Sequence, residues 1–148
     1  MNDLKVLAYN IQNAYLTAPC HKKIWMTTGA EFRSDTGKII LVVRVLYGLK
    51  SSRAAFRAFL AETLYNIGYE PSAADPDLWI RPSLKDDGFK YWEYVLCYIN
   101  NVLSISHKPE HTMKGIEAKF KLKDNKMEEP NVYLGTELSR MDNEQGDL

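Results

Sequence analysis

The sequence has little cysteine and no apolar run long enough to cross a membrane. Its two cysteines, Cys20 and Cys97, form no C-x-x-C pair and no His/Cys cluster, which argues against a disulfide framework and against a zinc site. The apolar runs fall far short of the roughly 20 residues that span a bilayer. The N-terminus lacks the pattern of a signal peptide. We therefore expect a soluble intracellular, cytoplasmic protein with free thiols and no membrane partner.

The sequence also lacks an excess of either charge. Nineteen Lys and Arg residues balance nineteen Asp and Glu residues over 148 positions. Proteins that bind nucleic acid tightly usually carry a basic excess, because contacts to phosphate dominate their affinity. The balance therefore argues against tight nucleic-acid binding by this segment alone. A hydrophobic fraction of 45% is enough for the core of one globular domain.

Apolar patterning predicts a sheet accompanied by helices. Short runs of strand character lie at residues 6–9, 24–26, 39–43, 78–80, 91–99, 102–105 and 133–138. The run at 39–43 has the composition of a buried strand. Helices are predicted over about residues 53–67 and 109–120, the first of them capped by Ser51-Ser52 and ended by Gly68. Asp87-Gly88 and Asn100-Asn101 are predicted hairpin turns. This order favours an α+β fold with helices on one face of an antiparallel sheet.

Four segments carry a family pattern, in order, between residues 10 and 138. They are Asn-Ile-Gln-Asn-Ala-Tyr-Leu at 10–16, Leu-Tyr-Gly-Leu-Lys-Ser-Ser at 46–52, Tyr-Ile-Asn-Asn at 98–101, and Phe-Lys-Leu-Lys-Asp at 120–124 followed by Tyr-Leu-Gly at 133–135. Together they resemble the palm region of copia-type reverse transcriptases from LTR retrotransposons. In that family an aspartate ends the first strand and a Tyr-x-Asp-Asp hairpin supplies two more.

The resemblance implies a fold and a set of partners. It implies a palm-like antiparallel sheet with helices packed on one face, a palm core at residues 1–140 and a polar tail at 141–148. Most of the fingers, and all of the thumb and the ribonuclease H domain, are then expected to be absent. The family's partners are an RNA or DNA primer-template, deoxynucleotides and the remainder of a polyprotein in a virus-like particle. We expect weak or no binding of primer-template and nucleotide by this chain.

The family's three metal-binding aspartates correspond here to Asn10, Asn100 and Asn101. In the family these carboxylates hold two Mg²⁺ (or Mn²⁺) ions that activate the primer hydroxyl and stabilise the charge on the transferring phosphorus. Magnesium prefers hard and anionic oxygen ligands, and an asparagine amide is neutral. The resemblance therefore implies a catalytically inactive enzyme without tightly bound metal.

Asn100-Asn101 also has a purely structural interpretation. Asparagine tolerates positive φ, so Asn-Asn is a favourable two-residue hairpin turn. The distant match at Asn10 is what favours a substituted metal site. Each Asp-to-Asn change needs a single base change, and the sequence leaves open a decayed element copy or deliberate inactivation.

Five further positions match nucleotide or template contacts of the family. Tyr15 matches the aromatic residue under the sugar of the incoming nucleotide, and Tyr47 and Gly48 match the loop at the templating base pair. Lys50 is a candidate phosphate ligand, and Tyr98 matches a residue near the primer end. Each has a structural alternative: Tyr15 and Tyr98 as core residues, Gly48 as a turn residue, and Lys50 as a solvated surface lysine.

Two functions from different classes therefore remain. The first is an RNA-directed DNA polymerase domain (a nucleotidyltransferase) of a transposable element that has become a pseudoenzyme. The second is a palm-like module retained as a protein- or RNA-binding scaffold, which would present exposed apolar surface to a partner.

Overall fold

The main sheet is antiparallel and has five strands. The computed structural model describes residues 4–123 and 127–139, so Asp124 and the predicted polar tail at 141–148 lie outside the described residues. The sheet strands are β1 (Lys5–Asn10), β4 (Glu70–Pro71), β5 (Leu78–Leu84), β6 (Lys90–Tyr98) and β7 (Asn101–Ser106), in the spatial order β1-β7-β6-β5-β4. The strand at the start of the chain thus forms one edge of the sheet, where it pairs with β7 of the later β6–β7 hairpin.

Two helices cover one face of this sheet. They are α2 (Ser52–Asn66) and α3 (Pro109–Glu117), and a short helix α1 (Ala14–Thr17) follows β1. The core joins Phe56 and Leu64 of α2 and Met113 of α3 to alternate strand residues such as Val95 and Val102, as the two-residue period of a strand requires. Mixed helices on an antiparallel sheet confirm the α+β prediction.

The helix predicted over residues 53–67 is confirmed, but the capping hydrogen bond expected from Ser51-Ser52 is not formed. Ser51 occupies the N-cap position and its side chain makes no capping hydrogen bond, while Ser52 Oγ donates to the carbonyl oxygen of Leu46 at 2.5 Å. The C-terminus ends as predicted at Gly68, where φ is 87°. Tyr69 N–H donates to the Leu64 carbonyl at 3.0 Å, as in a Schellman motif.

The strand predicted to be buried at 39–43 is mostly exposed. Among the described residues, the strand β3 (Ile39–Leu41) pairs only with β2 (Trp25–Thr27), in a separate two-stranded hairpin. Trp25, Ile39 and Val43 are 62%, 71% and 68% exposed. The composition is that of a buried strand, but the described chain provides no layer above this face of the hairpin.

Two boundary predictions need correction. The hairpin turn after β6 is Ile99-Asn100, because Tyr98 and Asn101 are already paired across the strands. The single strand predicted at 133–138 is a small hairpin of β8 (Val132–Tyr133) and β9 (Thr136–Glu137). Gly135 has a φ of 80°, which an extended strand does not tolerate and a turn requires. The Asp87-Gly88 turn between β5 and β6 is confirmed, with Gly88 N–H donating to the Lys85 carbonyl at 2.9 Å.

A buried carboxylate, Glu93 on β6, joins the sheet to the helices. Its Oε1 accepts hydrogen bonds from Tyr91 at 3.0 Å and from Ser106 at 2.7 Å. Its Oε2 accepts from Tyr69 at 3.0 Å and from Arg81 Nε at 2.8 Å. The Tyr69 hydroxyl also lies 2.8 Å from the Thr112 hydroxyl on α3. Such a network is stabilising only while all of its members are present.

Across residues 4–123 and 127–139, every helix is too short or too polar to cross a membrane.

Candidate functional site

The three asparagines meet at one end of the sheet. Asn10 is the last residue of β1 and is paired in register with Asn101, the first residue of β7. Asn100 lies in the turn immediately before Asn101. The pairing of β1 with β7 therefore brings Asn10 next to two residues that lie ninety or more positions later in the sequence. We refer to Asn10, Asn100 and Asn101 as the amide cluster.

The amide cluster is linked by direct hydrogen bonds between side chains. Asn10 Nδ2 donates to Asn101 Oδ1 at 2.8 Å, and Asn100 Nδ2 donates to Asn10 Oδ1 at 2.8 Å. Asn10 thus uses both ends of its amide, as donor and as acceptor. Two of the three amide oxygens already accept a hydrogen bond, and the cluster carries no charge. Its chemistry is that of a satisfied polar contact between strand ends.

The backbone around the amide cluster is held on both sides. Ile11 N–H donates to the Asn100 carbonyl at 2.7 Å, which fixes the end of β1 to the hairpin turn. Gln12 N–H donates to the Lys121 carbonyl at 2.8 Å, which fixes the following loop to the segment after α3. The positions of the three side chains are therefore set by paired backbone.

Ile99, next to the amide cluster, has a strained backbone conformation. Its φ is 54°, in the left-handed region that disfavours L-residues, above all β-branched ones. The tight turn imposes this angle, since Tyr98 and Asn101 on either side are paired. Strain of this kind costs about 1–3 kcal/mol.

Glycine is usually less stabilising than alanine within a helix, and we expect the opposite order at position 99. Ile99→Gly should be more stable than Ile99→Ala by about 1 kcal/mol, because glycine tolerates positive φ. Ala58→Gly, in an exposed turn of α2, is the matched control and should destabilise by about 1 kcal/mol. Urea denaturation of the variants measures both differences. An Ile99→Ala variant more stable than Ile99→Gly would show that the turn does not impose this strain.

Two of the predicted nucleotide-contact residues lie together in an aromatic group. Tyr15 and Tyr47 make an edge-to-face contact with ring centroids 4.9 Å apart. Tyr15 also contacts Phe56 of α2 at 5.9 Å between centroids. Tyr15 is half-buried and Tyr47 is 58% exposed, so Tyr47 presents an aromatic surface to solvent beside the loop that leads into α2.

The other three predicted residues, Gly48, Lys50 and Tyr98, take no part in these aromatic contacts. Gly48 has a φ of 88°, and a Cβ built there meets nothing within 4 Å, so the backbone angle alone accounts for glycine. Lys50 is exposed, and its side chain makes no hydrogen bond or ion pair within the described part of the chain. Tyr98 is 46% exposed and is paired with Asn101, which places it beside the amide cluster on the face away from the helices.

Lys123, Glu128 and Tyr133, which were assigned no functional role from the sequence, form a cavity together with two residues of the amide cluster. The cavity has a volume of about 290 Å³ and is lined by Asn10, Asn101, Lys123, Glu128 and Tyr133, among others. Lys123 and Tyr133 belong to segments of the family pattern, which was the available signal. Burial raises the pKa of Tyr133 to about 12, and its hydroxyl has no hydrogen-bond partner among the described residues.

Comparison with known proteins gives a distant similarity. No protein-family model matches the chain. It is 25% identical over 137 residues to the retrovirus-related Pol polyprotein from transposon RE1 of Arabidopsis thaliana, a match that covers 89% of this chain. The chain spans 9% of the length of that polyprotein. This similarity relates the chain to retrotransposon polyproteins.

Proposed function

We propose that this chain is the palm region of a copia-type reverse transcriptase whose metal site has been replaced by the amide cluster. The observation that carries the proposal is the convergence of Asn10, Asn100 and Asn101 at the end of one strand and the turn of a neighbouring hairpin. Those are the positions at which the family pattern carries aspartate. The distant similarity to a transposon Pol polyprotein supports the same origin.

The residues present do not fit a divalent metal. With aspartates, bound Mg²⁺ would polarise the primer hydroxyl and stabilise the transferring phosphoryl group. Here the amide oxygens of Asn10 and Asn101 already accept hydrogen bonds from within the amide cluster, from Asn100 and Asn10 respectively. In the described part of the chain, no three His, Cys, Asp or Glu side chains form a metal-binding group. The proposed function is therefore that of a pseudoenzyme.

A palm region of this kind would have a primer-template and a nucleotide as partners. In a longer polyprotein, primer-template would lie over the sheet face that carries Tyr98 and the amide cluster, and the nucleotide would lie near Tyr15 and Tyr47. This chain itself contributes little charge to such binding, since its net charge is zero. Tight binding would depend on other domains of that polyprotein.

Primer extension tests this function. The chain, in its present form and with Asp at positions 10, 100 and 101, replaces the corresponding segment of a related transposon polyprotein. We expect synthesis in Mn²⁺ or Mg²⁺ only from the restored form. The present form should be slower by about a thousandfold or more, since a loss of about 4 kcal/mol of charge stabilisation corresponds to that factor. Equal synthesis by the two forms would contradict the proposal.

A second candidate function is a binding scaffold built on the same fold. The specific observation in its favour is the β2–β3 hairpin, which exposes Trp25, Ile39 and Val43 on one side. Exposed apolar surface of this kind is typical of protein contacts. A restored form that folds but neither synthesises DNA nor binds Mn²⁺ would favour the scaffold over the inactivated polymerase.

A further inference from the structure

The outer face of the β5–β6 hairpin is apolar at the end of the sheet far from the amide cluster. Along β6 the odd-numbered residues, such as Val95, join the core, so the even-numbered residues point away from the helices. Trp92 is 49% exposed on this outer side and is paired across the hairpin with Pro82. We refer to the outward residues Pro82, Leu84, Trp92 and Tyr94 as the distal face.

The distal face contains a groove of about 400 Å³. Its lining is mainly apolar and consists of Pro82, Ser83, Leu84, Lys90, Tyr91 and Trp92. Leu84 is 63% exposed, so the described chain leaves this side of the hairpin largely uncovered. An antiparallel sheet usually carries polar residues on the side that faces solvent. An apolar groove on that side is typical of a surface that contacts another molecule.

The polar atoms at this groove are hydrogen-bond donors without a partner among the described residues. The indole N–H of Trp92 and the ammonium group of Lys90 make no hydrogen bond or ion pair there. Both groups can only donate. A second copy of the chain would add the same two donors. A ligand rich in acceptors and poor in donors suits the groove better.

We propose that the distal face binds an extended, proline-rich peptide that carries an acidic residue. A polyproline II segment has no internal hydrogen bonds, so its carbonyl groups are free acceptors, and its prolines have no N–H. Segments of this kind bind in grooves lined by aromatic side chains. From Lys90 to Tyr94 the strand rises about 13 Å, which about four residues of such a peptide cover. The carboxylate of the peptide pairs with Lys90 at one end of the groove.

The distal face stands apart from the proposed polymerase function. Trp92 precedes Tyr98 by six residues on β6, which corresponds to about 20 Å along the strand. Peptide binding at Trp92 therefore needs neither a metal ion nor the amide cluster. Either proposal can fail while the other holds.

The test follows the three tryptophan indole N–H signals in an NMR titration of the full chain. The probe is a short capped peptide of one glutamate followed by prolines. We expect it to shift the Trp92 signal in a saturable manner. It should leave unchanged the signals of Trp25, which is 62% exposed on the β2–β3 hairpin, and of the buried Trp79. The same peptide with glycines in place of prolines should bind at least about tenfold more weakly, because it must be ordered on binding. Glutamine in place of its glutamate should weaken binding about two- to fivefold, as for one exposed ion pair.

Two pairs of variants sharpen the assignment, with binding measured by the fluorescence anisotropy of a labelled peptide. Trp92→Leu keeps an apolar side chain but removes the ring and its N–H, and should weaken binding by about tenfold. Trp25→Leu, the matched change on the β2–β3 hairpin, should leave binding unchanged. Lys90→Gln should lower the affinity of the glutamate peptide to that of the glutamine peptide, whereas Lys114→Gln, at an exposed position of α3, should have no effect.

Three results would overturn the proposal: a stationary Trp92 signal, equal binding of the proline and glycine peptides, or equal effects of Trp92→Leu and Trp25→Leu. A Trp92 signal that moves with protein concentration in the absence of peptide would also overturn it, because the distal face would then belong to a contact between two copies of the chain.

Discussion

Restoring aspartate at positions 10, 100 and 101 is expected to make the stability of this domain depend on a divalent cation. In EDTA the triple variant should have a free energy of unfolding roughly 2–4 kcal/mol below that of the present chain. For a domain of this size that corresponds to a fall of roughly 5–10 °C in melting temperature. Saturating Mn²⁺ should recover most of the loss in the variant and should leave the present chain unaffected.

The expected loss follows from the geometry of the amide cluster. The amides satisfy one another at 2.8 Å, whereas carboxylates at the same positions would repel. Two like charges 4 Å apart interact by about 4 kcal/mol at an effective dielectric constant of 20. Partial protonation would relieve part of this cost. A cation that binds only the folded form stabilises it by about 2.7 kcal/mol at a hundred times its Kd.

The control is a single aspartate away from the site. Asn131→Asp, at an exposed position before β8, should change the melting temperature little and should not respond to Mn²⁺. Thermal unfolding followed by circular dichroism, with and without EDTA, compares the three proteins. A triple variant as stable in EDTA as the present chain would mean that the three side chains are not as close as the hydrogen bonds require.

The second large effect is expected at Glu93. Glu93→Gln should lower the free energy of unfolding by about 3–5 kcal/mol, because it leaves Arg81 without its buried counter-ion. It also disrupts the hydrogen bonds that the carboxylate accepts from Tyr69, Tyr91, Ser106 and both Nε and Nη2 of Arg81. Arg81 also lies over the Tyr69 ring, at 4.4 Å from its centroid. Glu62→Gln, on the exposed face of α2, is the matched control and should stay within about 0.5 kcal/mol of the parent. Urea denaturation measures both changes.

The same network predicts a pH dependence. Burial raises the pKa of Glu93, but hydrogen bonds from Ser106, Arg81 and Tyr91 and the charge of Arg81 outweigh it, so the pKa is lowered from the ordinary 4.5. A lowered pKa means that the stabilisation is complete above about pH 4.5 and is lost as the pH falls through the folded-state pKa. The parent should therefore lose more stability than Glu93→Gln on acidification from pH 5. Parallel pH profiles would contradict this role.

The sequence predicted the elements of this fold well where local signals and burial agree. The helix ending at Gly68 and the turn at Asp87-Gly88 follow from residues whose conformational preferences match the structure. The prediction of a buried strand at 39–43 was wrong because composition indicates that a segment is apolar but not whether another layer covers it. The predicted position of the turn after Tyr98 was wrong by one residue, because strand pairing imposes a positive φ on Ile99 against the preference of that residue.

The candidate site was predictable in part for a different reason. The family pattern selected Asn10, Asn100 and Asn101. Their approach in space requires the pairing of β1 with β7, which no local sequence signal encodes. The hydrogen bonds within the amide cluster were not predictable, since they depend on side-chain orientation. Glu93 gave no signal either: a lone glutamate in an alternating strand is indistinguishable in sequence from a solvated one.

Direct measurement of Mn²⁺ binding tests the central claim, that the amide cluster occupies a former metal site. Isothermal titration of the present chain and of the triple aspartate variant under the same conditions provides the comparison. We expect saturable binding by the aspartate variant and at least tenfold weaker or no binding by the present chain. Equal Mn²⁺ affinity in the two proteins, or no binding by a well-folded aspartate variant, would contradict it.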